Sequence, residues 1–263
     1  MGATMSNPRL PPEILDWIVD FLHDDPKALE GCCLVSKSWI PRARKHIFDE
    51  VSFITMEKLQ SWKEMFPDPL NSPAYHTRTL SVVWSRKITA TYCGAGERIS
   101  GFSRVVQLRL AGQGLFPDPA LSFALLHGFS PVVKSLSMNF AVLPPSQIFH
   151  LVLSFPLLED LSIITYSNPL TGDELPTIDQ PPSPLRLTGS LELSMGGGMG
   201  PIARWLLSIP GGVHFRELSL EWFREEDPLL TMELLEKCSN TIDSLKITCD
   251  SRGTSIQYLC LFQ

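Results

Sequence analysis

Apolar and polar positions along this chain follow two different periods. Between Leu10 and Phe48 the period is helical: Ile14, Ile18 and Leu22 recur at i, i+4 and i+8, with Leu15 alongside. Pro11 and Pro12 open this helix, where no intrahelical N–H is lost, and Glu13 suits its positive end. His23-Asp24-Asp25-Pro26 stops it, and Asp25 then caps a second, brief helix holding Leu29, Cys32 and Cys33. Ser36 or Ser38 caps a third, whose first turn tolerates Pro41. Met56 to Phe66 is a further helix, ended by Pro67-Asp68-Pro69. From about residue 76 the pattern becomes short alternation. Its cores are Leu80-Ser-Val82, Leu108-Arg-Leu110, Leu136-Ser-Met138, Leu161-Ser-Ile163, Leu191-Glu-Leu193, Leu218-Ser-Leu220 and Leu245-Lys-Ile247. Their first members lie 28, 28, 25, 30, 27 and 27 residues apart. Helical runs at 120–129, 146–155, 202–208 and 229–238 separate several of them.

Three helices in about forty residues cannot enclose a full core, because domains that small need a staple or a partner. The segment nevertheless carries Leu10, Ile14, Leu15, Ile18, Leu22, Leu34, Val35, Trp39 and Ile40. That is more apolar surface than helices this short can hide among themselves, so a partner is expected. In its Leu-Pro-x-Glu-Ile-Leu … Leu-Val-Ser-Lys-x-Trp form, matched from Leu10 to Trp39 and loosely through Ala43-Arg44 and Phe48, the stretch resembles an F-box of the kind found in fungal F-box-like proteins. The resemblance implies docking onto the Skp-type adaptor, and through it a cullin, of a ubiquitin ligase. Leu10, Pro11, Ile14, Leu15, Ile18, Leu34, Val35 and Trp39 are the expected adaptor contacts.

The second half has the opening L-x-x-L-x-L of a leucine-rich repeat, at a period of 20–29 that nearly all the gaps meet. Thr77, Val105, Val133, Leu158, Thr188, Phe215 and Ile242 stand three residues before each core. A strand plus a helix per unit suits a horseshoe solenoid, since a single unit leaves its apolar side uncovered. Two features depart from the pattern. The Asn or Cys of the repeat is replaced at residues 85, 113, 141, 166, 196, 223 and 250 by Ser, Gln, Ala, Tyr, Gly, Phe and Asp. The stretch from Tyr166 to Pro184, with prolines at 169, 176, 181, 182 and 184, reads as a long loop. An irregular α/β layer is the alternative to a true solenoid. The expected fold is therefore α+β and multidomain: a disordered tail over 1–9, a three-helix F-box over 10–50, a connector helix over 51–75, and a leucine-rich-repeat-like horseshoe with parallel strands over 76–263. The chain runs on about 18 residues past the last core with no evident capping repeat, so a longer native solenoid, or a chain cut short, is expected.

Composition narrows the function. Hydrophobic residues make up 44% of 263 and mean hydropathy is +0.07, which describes a folding chain. A net charge of -6 and a pI near 5.5 argue against nucleic acid as partner. Residues 1–9 lack the apolar run of a signal peptide, although Gly2 and Ser6 fit the loose myristoylation pattern. The longest uncharged run, Ser135 to Leu158, is interrupted by Asn139, Pro144, Pro145 and Pro156, and cannot be a membrane helix. Six cysteines, at 32, 33, 93, 238, 249 and 260, form no paired framework and no CxxC, so free thiols in a reducing cytoplasmic or nuclear setting are expected, and no metal.

No catalytic constellation emerges. The six histidines have no evident triad partner and GxSxG is absent. Gly196-Gly197-Gly198-Met199-Gly200 lacks the lysine of a phosphate loop and reads as a turn. The basic group Lys37, Arg42, Arg44, Lys45 and His46 reads as the solvated face of the third helix, with an acidic-partner site as the alternative. The expectation is a non-catalytic substrate receptor without cofactor, acting by proximity. An F-box scaffold outside any ligase, or a hydrolase or transferase built on the repeat turns, is the alternative. Alternation turns residues 79, 81 and 83 and their equivalents outward. On that face Asp160, Glu192, Glu217 and Glu221 gather late, against Arg109 earlier, so the target is expected to present a basic segment there.

Overall fold

The computed structural model describes residues 11–68, 71–84, 101–113, 132–142, 145–167, 187–195, 200–209, 212–222, 227–251 and 254–261. Leu10, the expected helix at 120–129, the proline-rich stretch beyond 167 and the glycine run at 196–199 lie outside them. The first three helices are α1 (Pro12–Phe21), α2 (Pro26–Val35) and α3 (Ile40–Ile47). Asp25 caps α2 as expected, its side chain accepting from the Ala28 N–H at 3.0 Å. Neither serine caps α3. Trp39 occupies that position, while Ser36 Oγ accepts from the Ser38 N–H and so shapes the turn before it.

Among the described residues the sheet has nine strands in chain order: β1 (Glu50–Phe53), β2 (Thr79–Trp84), β3 (Gln107–Gly112), β4 (Ser135–Val142), β5 (Asp160–Ser167), β6 (Ser190–Met195), β7 (Glu217–Trp222), β8 (Ser244–Ser251) and β9 (Thr254–Leu261). Neighbours from β1 to β8 are parallel, and β9 returns antiparallel along β8. The architecture is α/β. Parallel neighbours need a crossover each time, and described crossovers contain α4 (Met56–Met65), α5 (Pro145–Leu153), α6 (Gly200–Ser208) and α7 (Asp227–Cys238).

Register explains why the alternating cores recur. Leu80, Leu108, Leu136, Leu161, Leu191, Leu218 and Leu245 stand side by side across successive strands, as do Val82, Leu110, Met138, Ile163, Leu193, Leu220 and Ile247. All of the first row and all of the second but Ile247, which is partly buried, belong to the core beneath the helices. Ile148, Phe149 and Val152 of α5 and Trp205 and Leu206 of α6 are buried there, with the Phe149 and Trp205 rings 4.6 Å apart. One sheet face is thus apolar and covered.

Two departures from the expected pattern have a local cause. The segment read as a connector supplies β1, and Val51, Phe53 and Leu59 of α4 are buried in the sheet's own core. Four residues were too few for an alternating signal to stand out there. In the unit before β6 the buried anchor is Leu187, not Thr188, which is exposed. The extra residue is accommodated at Gly189, where a Cβ would stand 2.1 Å from Asp160 Oδ1.

Candidate functional site

The three-helix unit encloses little. Val19, Leu29, Cys32 and Ala43 are its buried centre, with Leu22, Cys33, Trp39 and Ile47 packed around them. Val19, one position from the stripe read in the sequence, is the fully buried residue of α1. A turn of helix advances 3.6 residues, so Leu15, Val19 and Leu22 face inward together and Ile14, Ile18 and Phe21 face away. Ile14 and Ile18 are each 40% exposed, Trp17 66%, Phe21 84%, Leu34 89% and Val35 71%. Large apolar side chains bared to this degree on one small unit are the usual mark of an interaction surface.

The expected adaptor contacts divide accordingly. Pro11, Ile14, Ile18, Leu34 and Val35 are exposed. Leu15 is half-buried, and Trp39 turns partly into the unit's own core. Trp17 and Phe21 were missed, although their i, i+4 spacing on a helix apolar on nearly every side was a legible sign that one side lacks a neighbour. Both line a shallow groove with Asp20 and His23.

Asp20 ties this surface to α3. Arg42 Nε donates to Asp20 Oδ1 at 2.6 Å, Arg42 Nη2 donates to Oδ2, and His46 Nε2 donates to Oδ1 at 2.7 Å. Arg42 and then His46 hold the carboxyl well below the usual carboxylate range. Two members of the basic group in α3 are therefore structural. Arg44 and Lys45 are exposed and take no part in it.

The uncovered sheet face carries the residues expected to meet a target. Asp160 accepts from the Ser190 N–H at 2.7 Å and from its hydroxyl at 3.0 Å. Ser162 donates to Glu192 Oε2 at 2.6 Å, and Ser194 donates to Glu221. Glu217 is exposed in the row containing Ser190 and Ser244. Arg109 is paired at the other end, with Glu50 Oε1 at 2.9 Å. The four acidic side chains thus share one face, and three of them also stitch neighbouring strands together.

Among the described residues no group of three potential metal ligands occurs, and no helix is long and apolar enough to cross a membrane. Cys238 is buried, its Sγ 3.5 Å from the Val213 carbonyl, and burial pushes its thiol up. No protein-family model matches the chain, and no curated protein matches it significantly.

Proposed function

We propose that this chain is a non-catalytic substrate receptor of a Skp–cullin–F-box type ubiquitin ligase, working in the cytoplasm or nucleus. The N-terminal three-helix unit grips the Skp-type adaptor as an F-box, and the strand–helix units form a leucine-rich-repeat-like horseshoe that offers its uncovered sheet face to a target. One observation carries the reading: Ile14, Trp17, Ile18, Phe21, Leu34 and Val35 are exposed on a unit whose buried centre is only Val19, Leu29, Cys32 and Ala43. Burying those side chains against an adaptor supplies what the unit's own core lacks, at about 1–3 kcal/mol for each well-packed anchor. The chain's contribution to degradation is proximity, which raises the effective concentration of target at the ligase. On the sheet face, Asp160, Glu192, Glu217 and Glu221 favour a target with a basic segment.

Co-expression with a Skp-type adaptor, with and without a cullin, tests this. Ile14→Ala combined with Leu34→Ala is expected to abolish adaptor co-purification while the circular dichroism spectrum stays unchanged. Undiminished co-purification by a folded double variant sinks the assignment. Adaptor capture that never recruits cullin moves the protein to the scaffold alternative.

A further inference from the structure

The end of α3 and the corner before β2 build a second surface, of opposite character. The corner is a 3-10 turn, Pro73–His76, that packs against α3. It is held firmly: Pro73 and Ala74 are buried, and Ser72 Oγ accepts from the Ala74 N–H at 3.2 Å. Beside it runs the segment leading into β3, anchored by Phe102, which is buried against Phe53 and Trp62. That anchor fixes Arg104, whose guanidinium lies 4.0 Å from the centre of the Tyr75 ring. Tyr75 is 46% exposed and meets the His76 ring edge-on at 5.4 Å.

Cations converge here from three separate elements. Arg44 and Lys45 come from the last turn of α3, Arg104 from the segment before β3, and His76 from the turn itself. Burial first, and then the positive charges of Arg104, Lys45 and Arg44, hold the His76 imidazole below the ordinary range. Basic residues in the final turn of a helix ordinarily complement its dipole. That accounts for Arg44 and Lys45 but not for Arg104, which belongs to no helix. Gathering like charges around a half-buried histidine costs energy in a chain of net charge -6, and an anionic ligand would offset it.

We propose that Arg44, Lys45, Arg104 and His76, with the exposed Tyr75 ring, form a docking site for an acidic segment of a partner protein. Charge complementarity selects the carboxylates, and the Tyr75–Arg104 pair offers a flat aromatic and guanidinium platform for an apolar side chain between them. The site is independent of the adaptor surface and of the ligase assignment, since none of its residues is among the exposed apolar set on α1 and α2.

A short fluorescein-labelled peptide of alternating glutamate and phenylalanine-glycine tests it by fluorescence anisotropy on the full chain, with the lysine counterpart and a single-stranded oligonucleotide as comparisons. The glutamate peptide is expected to bind, more weakly as salt rises. Arg44→Glu with Lys45→Glu, and separately Arg104→Glu, are each expected to weaken it roughly tenfold, while Arg104→Lys retains most of the affinity. In an NMR titration the bound anion should raise the pKa of His76, so binding tightens as pH falls through the histidine range. Equal binding by folded charge-reversal variants, or an unmoved His76 titration, overturns the proposal. So does tighter binding of the oligonucleotide than of the glutamate peptide.

Discussion

His46 donates from Nε2 to Asp20 Oδ1 across 2.7 Å, pinning the end of α3 to the face of α1 that borders the exposed apolar side chains. Arg42, one turn earlier, reaches the same carboxylate. The bonded form is the carboxylate, so the folded pKa lies below the unfolded value and Asp20 stabilises the fold most above the ordinary value of 3.8. That stabilisation shrinks as pH falls below it and is gone in strong acid. Asp20 is about a third exposed, so Asp20→Asn is expected to cost only about 1 kcal/mol at neutral pH. Urea unfolding at pH 7 and pH 3 should show a smaller difference between wild type and variant at the lower pH.

Exposure separates surface residues from core residues in the three-helix unit. Leu29 is buried and Leu34, half a helix away, is not. Leu29→Ala is expected to destabilise by about 2–5 kcal/mol, and Leu34→Ala by less than about 0.5, as urea midpoints will show.

In the sheet, Leu136 is fully buried between Leu108 and Leu161 on neighbouring strands. Leu136→Ala should cost about 2–5 kcal/mol. Leu245 on β8 retains 7% exposure, and its truncation should cost less in the same denaturation series.

Gly189 is the place where backbone and Asp160 come too close for a side chain. An alanine Cβ there would stand 2.1 Å from Asp160 Oδ1 and 3.1 Å from the Glu159 carbonyl. Gly189→Ala is expected to push Asp160 off the Ser190 N–H, at about 1–3 kcal/mol. Faster hydrogen exchange at the Ser190 amide is the specific readout; an unchanged rate means the carboxylate was not guarding it.

The thiols should differ in reactivity. Cys33 is part-exposed, whereas Cys238 is buried with its thiol pushed up. Under native conditions at mildly alkaline pH, iodoacetamide should label Cys33 well before Cys238, as peptide mass spectrometry will resolve.

Sequence by itself determined the periodic parts of this protein. Residues two apart in a strand point the same way, so Leu136 and Met138 announced a buried face without knowledge of their neighbours. Proline and aspartate at helix starts act within a few residues, and Asp25 was accordingly legible as a cap. Only the tertiary structure decided what depends on residues distant in the chain. Val19 and Ile18 are both apolar and adjacent, and which one faces inward was settled by the packing of α2 and α3. Asp20 lies more than twenty residues from both Arg42 and His46, and no local rule pairs a carboxylate with cations so remote. β1 is too short to show a period, and it is a strand because β2 offers it hydrogen bonds. Arg104 likewise joined Tyr75 only because Phe102 is buried against Phe53 and Trp62. Local period is written in the order of residues, while the meeting of distant side chains is set by the free energy of the whole packed chain.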